Sequence, residues 1–368
     1  MEDWYKIFDE NTVTTPGLLI SKKNIDYNIK QMIKISGDVN RLWPHIKTHK
    51  MPSIIEMQKK SGIKKFKCST IGELKLLTKQ SNLDHILLAI QPTKEKLKLF
   101  LKIQKNNPKI KFSTLVDNPE SLILFSKEAK KHNLAINLWI DINNGMDRTG
   151  IIPNDKSFSL FIKILESPNT NFLGLHVYDG NIRNESEKER KEKSDLQFQP
   201  VIKLKKKIED KLAKSIDIVA GGSPTFLPHS YRKNVFLSPG TTLLWDFSYK
   251  SIWPESPFKI AAIIVTRIIS KPNNNLLCFD LGHKAIASEM PLPRVVVIGI
   301  EDGKHISQSE EHLVIETKHT NKYNLGDICY AIPYHICPTV IKYNLAQVVD
   351  NNKIIELWNI SARDYLIQ

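Results

Sequence analysis

Five short segments of this sequence carry side chains that could do chemistry. Two lysines and two histidines crowd into PHIKTHK, with Lys47 closing an apolar run. Arg148 lies in NNGMDRTG, and Tyr178 in HVYDGN. Gly221, Gly222, Ser223, Pro224 and Thr225 form the turn AGGSPT. A Gly-Gly turn lets backbone N–H groups approach a phosphate, and a helix start behind it adds partial positive charge. Far away, YHICPT holds His335 and Cys337 two residues apart. On a strand, i and i+2 share a face. An imidazole and a thiolate on one face suit zinc or another borderline divalent ion. Two protein ligands leave coordination positions open, as a catalytic metal requires. His312, in SEEHLV, is a possible further ligand or a group behind one.

Each feature alone has an ordinary reading: a solvated lysine, a plain turn, an arginine pairing locally, a packed tyrosine, a chance H-x-C. The elements that carry them give them a common place. Up to about residue 240, apolar runs alternate with amphipathic stretches. The runs LWPHIK (42–47), KFKCS (65–69), ILLAI (86–90), FSTLV (112–116), INLWIDI (136–142), FLGLHVY (172–178), DIVAG (217–221) and VFLSP (235–239) read as strands, with helices between them. That alternation implies a parallel sheet, and about eight units imply a closed (β/α)₈, TIM-like barrel. The competing architecture is an open doubly wound sheet, but no G-x-G-x-x-G follows an early strand. In a barrel, function gathers where strands end, on the C-terminal face. Lys47, Arg148, Tyr178 and the 221–225 loop all fall there. A lysine, an arginine and a phosphate loop at one mouth point to pyridoxal 5′-phosphate (PLP) bound through the lysine.

After residue 250 the periodicity changes. FKIAAIIVTRIIS, NLLCFDLG, RVVVIGI, HLVIET, DICYAIPYHIC and KIIELWNI are strand-like and separated by turn signals. The expected organisation is a PLP barrel over residues 1–250 and an all-β domain with the metal site over 251–368. GLLIS (17–21) is expected to pair with that second domain.

At 368 residues, two domains are natural. The hydrophobic share of 41% and charged share of 25% describe an ordinary globular protein. No apolar run reaches the roughly 18 residues of a membrane span. MEDWYKIFDE lacks the pattern of an export signal, and the four cysteines form no C-x-x-C pair. Both favour the cytoplasm. The net charge of +14 raises a nucleic-acid reading. The excess is mostly lysine spread through mixed-sign helical faces, and arginine, which reads guanine, is scarce. No nucleic-acid or membrane partner is expected.

PHIKTHK, KFKCSTIGEL, DINNGMDRTG, HVYDGN, AGGSPT, SPGTTLLWD, FDLGHKAIASE, EEH and IPYHICPTV, in this order, resemble the D-threonine aldolase/D-serine dehydratase family. These are fold-type III PLP enzymes related to alanine racemase. The motifs cover about residues 16–345 and together are highly specific. The resemblance implies a PLP barrel, a β domain, a homodimer, and a divalent metal, Zn²⁺ or Mn²⁺. It makes Lys47, not Lys50, the lysine that binds PLP. It sets Arg148 near the phenolic oxygen, Tyr178 near the pyridine ring, and Gly221, Gly222, Ser223 and Thr225 in the phosphate loop. His335 and Cys337 become the metal pair, and Lys47 and His335 the catalytic residues. Two departures stand out: Trp43 where many members have arginine before P-H, and Asn181 where many have histidine.

The implied reaction is lyase chemistry on a small D-β-hydroxy-α-amino acid. Either Cα–Cβ breaks, giving glycine and an aldehyde, or water is eliminated, giving a 2-keto acid and ammonia. In this family a His/Cys pair tilts toward elimination. His45, His49, Lys50 and Arg148 are candidate cations to keep Lys47 a neutral nucleophile. The alternatives are a PLP-dependent racemase, which needs no metal, and a non-catalytic PLP-binding protein.

Overall fold

The computed structural model describes residues 3–184 and 186–364. The chain divides into two compact units. One contains the chain up to Gln31, Thr48–Ile54 and Thr241–Arg363; the other contains Met32–Lys47, Ile55–Gly240 and Asp364. The first strand and helix are β1 (Gly17–Ser21) and α1 (Lys22–Ser36).

The second unit is a (β/α) barrel. Its sheet has seven parallel strands in sequential order: β2 (Lys65–Cys68), β3 (His85–Leu88), β4 (Lys111–Val116), β5 (Ile136–Ile142), β6 (Thr170–Val177), β7 (Asp217–Ala220) and β8 (Val235–Leu237). The helices are α2 (Pro52–Lys60), α3 (Ile71–Thr78), α4 (Lys94–Asn106), α5 (Pro119–Lys131), α6 (Asp155–Glu166), α7 (Glu187–Leu212) and α8 (Phe226–Ser230). Local signals agree with these bounds. Helix α5 starts with Pro119 behind an Asn118 cap that accepts from Ser121 N–H, and it ends in Lys130 and Lys131.

The eighth position, between β8 and β2, is filled without a regular strand. Trp43 N donates to Leu237 O (2.8 Å) and His45 N to Pro239 O (2.9 Å). On the other side Lys67 N donates to Pro44 O (2.9 Å) and Ile46 N to Lys67 O (3.0 Å). The expected strand over 42–47 is therefore corrected to two isolated bridges, Leu42 to Leu237 and His45 to Lys67. Residues 46–49 are a turn. Pro44 has no N–H to give a ladder. The rings of His45 and His49 then accept the backbone N–H two residues on, from Lys47 (3.2 Å) and Met51 (3.1 Å), and bend the chain. Strand alternation consequently does not set the direction of Lys47, His45 or His49.

Trp43 belongs to the barrel interior, packed with Leu87, Leu115, Trp139 and Val219. Its indole N–H donates to Phe66 O (2.8 Å), and its ring meets Trp139 and Phe236 edge-on, both at 5.6 Å. This departure from the family pattern is a core residue with a satisfied polar atom. His85 packs against the same indole at 4.7 Å and bonds Ser113 Oγ (2.8 Å). Burial, with Lys111 and Lys65 nearby, pushes its pKa down to about 3.

The first unit is built on a nine-stranded, mostly antiparallel sheet. Its later strands are β9 (Ala262–Asn273), β10 (Leu276–Phe279), β11 (Val295–Val297), β12 (Lys304–Gln308), β13 (Leu313–Glu316), β14 (Ile328–Pro333), β15 (Leu345–Asp350) and β16 (Lys353–Asn359). The path β12-β13-β10-β9-β1-β15-β16 forms its main order, and β14 joins β9 to β11. Strand β1 pairs parallel with β15 and antiparallel with β9, so GLLIS is a central, fully buried strand of this sheet. Two short helices interrupt the all-β pattern, α9 (Phe247–Ile252) and α10 (Ile336–Val340). Among the described residues no helix is long and apolar enough to cross a membrane.

His85 gives a test of the barrel core. Its folded pKa lies below the unfolded value, so the unfolded chain binds more protons between pH 6.5 and 3. The stability it contributes is full above pH 6.5 and is lost as pH falls toward 3. Urea denaturation of His85→Gln at pH 7.5 and pH 5 should show an acid-induced loss smaller than the parent's by on the order of 2 kcal/mol. Equal losses in the two proteins would show that His85 titrates freely.

Candidate active site

In the barrel unit, four sequence-predicted elements meet around one ring. Tyr178 directly follows β6. The Lys47 Nζ lies 5.6 Å from its ring centroid, and the Arg148 guanidinium lies 4.9 Å from it. Gly222 approaches the same ring so closely that a Cβ there would sit 3.0 Å from a ring carbon.

The loop that carries Arg148 is fixed on both flanks. Asn143 Oδ1 accepts from the N–H groups of Gly145 and Asp147, both at 3.1 Å. On the far side Thr149 Oγ donates to Asp141 (2.9 Å) and Gly150 N to Asp117 (3.0 Å).

The 221–225 loop is equally constrained. Gly221 has φ +77°, and a Cβ there would lie 2.6 Å from the His229 ring. Its N–H donates to Val177 O (2.9 Å). Thr225 Oγ accepts from Gly222 N (3.3 Å) and donates to Asp179 (2.6 Å). Ser223 Oγ accepts from Gly240 N (3.4 Å). Behind the loop, Asp179 bonds His229 (2.8 Å), whose other ring nitrogen accepts from Arg232 (2.7 Å). Arg232 cannot accept, so His229 carries its proton on Nε2, toward Asp179. Burial opposes the Asp179 charge, but the bonds from His229 and Thr225 hold its pKa below the usual carboxylate range.

A second buried chain was missed in the sequence. Lys67, on β2, is almost fully buried and places Nζ 3.0 Å from His176 Nε2. His176 Nδ1 lies 2.7 Å from Asp141 Oδ1. Lys67 also faces the Tyr178 ring, at 5.9 Å. Burial first, then the Lys47 and Arg148 charges, push the Lys67 pKa down to about 7, against Asp141 and Asp179. Burial and Lys67 hold His176 below its ordinary value despite Asp141. The available signal was a charged residue at interior strand positions, in KFKC and INLWIDI, where parallel strands are otherwise apolar.

The expected cations around Lys47 need correction. His49 is fully buried, and burial with the Lys50 charge pushes its pKa down to about 3, so it is neutral near pH 7. Lys50 takes φ +53° and belongs to the other unit, with Thr48–Ile54. Arg148 and Lys67 are the basic groups that approach the Tyr178 ring with Lys47.

In the first unit, His335 and Cys337 do come together, though not on a strand. Strand β14 ends at Pro333; His335 is the extended N-cap of α10 and Cys337 lies in its first turn. Pro338 explains the change, because proline suits a helix's first turn and cannot donate to a ladder. The His335 ring hydrogen-bonds the Cys337 thiol, and its Nδ1 lies 2.5 Å from Glu289. Burial works against the His335 charge, yet Cys337 and Glu289 push its pKa up to about 9. Burial likewise opposes the Cys337 thiolate, but His335 and the hydroxyls of Thr241 and Thr48 bring its pKa below the ordinary thiol value. Those hydroxyls lie 3.3 and 3.2 Å from the sulfur. Thr48 is the next residue in the chain after Lys47.

A carboxylate on one ring nitrogen is the arrangement that orients a metal-binding histidine for an ion at the other. Glu289 occupies the carboxylate place beside His335; the sequence offers it only as the last residue of FDLGHKAIASE. His312 is exposed in the β12–β13 turn, where neighbouring Glu310 and Glu311 pair with Lys284. Among the described residues, no group of three or more His, Cys, Asp or Glu side chains forms a complete metal site.

Comparison with known proteins bears on both units. A family model described as "Alanine racemase, N-terminal domain" matches residues 20–245, more than half of the chain. One described as "Putative serine dehydratase domain" matches residues 261–349. The 3-hydroxy-D-aspartate aldolase of Paracoccus denitrificans (strain Pd 1222) is 24% identical, across 96% of this chain and 93% of its own. The D-threonine aldolase of an Arthrobacter species is 22% identical over the same shares. In structure, the D-threonine aldolase of Filomicrobium marinum shares the fold with a TM-score of 0.86 at 21% identity, over 95% of each chain.

The phosphate-type loop predicts its own sensitivity. Gly221→Ala places a Cβ against His229 at a left-handed φ, so it should lower unfolding stability by about 1–3 kcal/mol in urea titration. A change within a few tenths of a kcal/mol would mean that the turn relaxes without strain.

Proposed function

Because the chain belongs to the alanine racemase N-terminal domain family, we propose that it is a PLP- and divalent-metal-dependent lyase acting on D-β-hydroxy-α-amino acids. One observation carries this reading: Lys47, Arg148 and the glycine loop converge on the Tyr178 ring. The residues fit the cofactor. None of the ion pairs among the described residues involves Lys47 or Arg148, so both charges remain for an anionic ligand. Gly221 and Gly222 let the loop backbone pass where a Cβ would meet His229 and the Tyr178 ring. The full-length relatives are aldolases by name, and a D-threo-3-hydroxyaspartate dehydratase of a Delftia species matches about half of the chain.

In this reading Lys47 Nζ anchors PLP covalently. The 221–225 loop of Gly221, Gly222, Ser223 and Thr225 would hold the phosphate; the Gly221 and Gly222 N–H groups are themselves taken by Val177 O and Thr225 Oγ. Arg148 would pair with the phenolic oxygen, and Tyr178 would support the pyridine ring. His335 and Cys337 hold Zn²⁺ or Mn²⁺ as neutral imidazole and thiolate. Their hydrogen bonds already favour the thiolate, and Glu289 fixes the imidazole. When bound, the cofactor provides an electron sink at Cα and the metal a Lewis acid for the β-oxygen.

The chain's own residues then decide where protons go. The Lys47 amine would be the group to take the α-proton, which elimination requires. Retro-aldol cleavage instead removes the β-hydroxyl proton. The His335–Cys337 pair favours elimination through the family trend. A cytoplasmic homodimer goes with this reading.

Incubation with PLP and Zn²⁺ or Mn²⁺ tests the proposal, using D-threonine, D-serine, D-3-hydroxyaspartate and their L-enantiomers. Glycine plus aldehyde, or 2-keto acid plus ammonia, should form from D substrates alone. EDTA should lower the rate at least about tenfold, with recovery on metal addition. Cys337→Ala should bind less metal. Racemised substrate without lyase products, at a rate indifferent to EDTA, would select the racemase instead.

A further inference from the structure

Lys67 has a role that the lyase reading does not use. It is a charged side chain inside a barrel, and burying an ammonium is costly unless its charge and its N–H groups find partners. Three donors require acceptors. Among the described residues, the hydrogen-bond partner of Lys67 Nζ is His176. The nearby carboxylates are committed elsewhere. Asp141 accepts from Gln91 (2.8 Å) and Thr149 (2.9 Å) and pairs with His176. Asp179 takes Thr225 and His229.

The local charge is also one-sided. Lys47, Lys67 and Arg148 all lie within 6 Å of the Tyr178 centroid. The contact with His176 fixes the direction of Nζ. A protonated lysine only donates, so His176 Nε2 accepts and its Nδ1–H is held by Asp141. His176 and Asp141 thus act as positioning residues. They come from adjacent strands in direct register, Asp141 opposite His176.

We propose that Lys67 is a second ligand-binding lysine of the barrel mouth, whose Nζ, aimed by His176 and Asp141, binds an anionic oxygen of the occupant. The proposal rests on the PLP lyase reading. The oxygen comes from the cofactor, as phenolate or phosphate, or from a substrate carboxylate. The chemistry is the same, and measurement separates the sources.

Lys67→Met is the informative variant. Methionine keeps the length of the side chain without its charge, and circular dichroism checks that the variant folds. Lys67→Arg keeps a cation as the second variant. In one arm, the dissociation constant of PLP is measured by absorbance titration of the apoprotein. In the other, PLP-loaded protein is titrated with D-alanine and with D-aspartate, which lack a β-hydroxyl, and binding is followed by the spectral change.

A contact with the cofactor predicts that Lys67→Met weakens PLP binding roughly tenfold to a hundredfold, with part recovered in Lys67→Arg. A contact with substrate predicts unchanged PLP binding and a similar loss for one or both amino acids. A loss confined to D-aspartate would assign the second carboxylate. If folded Lys67→Met binds PLP and both amino acids as tightly as the parent, the proposal is overturned while the PLP reading stands. If the parent itself binds no PLP, both fall.

Discussion

The site depends on how the barrel closes between β8 and β2. Leu42–Ile46 satisfies backbone groups on both neighbours, yet Pro44 prevents it from becoming a regular strand. Closure therefore ends in a tight turn, and the turn delivers Lys47. Trp43 anchors this segment from inside, through its indole bond to Phe66 O and its packing on Trp139 and Phe236. Lys67 lies on the closing seam itself, with both backbone groups bonded to 44–46. One seam thus fixes the backbone of two lysines whose side chains face the same tyrosine.

Electrostatics supplies the second constraint. Lys47, Lys67 and Arg148 all approach the Tyr178 ring, while both nearby carboxylates are taken up in orienting buried histidines. An arrangement like this is poorly compensated by the protein alone and well matched to an anionic ligand. Glycines 221 and 222 bring the loop backbone against His229 and the Tyr178 ring, closer than a side chain would allow. In the other unit the same logic applies in miniature: Thr48, Thr241 and His335 favour a thiolate, and Glu289 holds the imidazole.

Much of this was legible in the sequence. Alternating runs gave the barrel, and turn-separated apolar runs gave the second sheet, because both patterns reflect which faces must be buried. Strand β5 has the bounds read from INLWIDI. The failures were local. Strand alternation at 42–47 and at YHICPT gave way to a turn and a short helix, because prolines removed ladder donors. Neutral His49 was invisible because burial, not residue type, sets its charge. Lys67, Asp141 and His176 read as ordinary members of strand runs. Their partners come from distant parts of the chain, and pairing across a barrel leaves no spacing to read. Glu289 was hidden in the same way.

The central claim is that Lys47 is the lysine that holds PLP. Borohydride reduction of the PLP-loaded protein, followed by peptide mapping in a mass spectrometer, addresses it directly. The account predicts a reduced pyridoxyl adduct on Lys47. An adduct on Lys67 or Lys50, or none on any lysine, would contradict it.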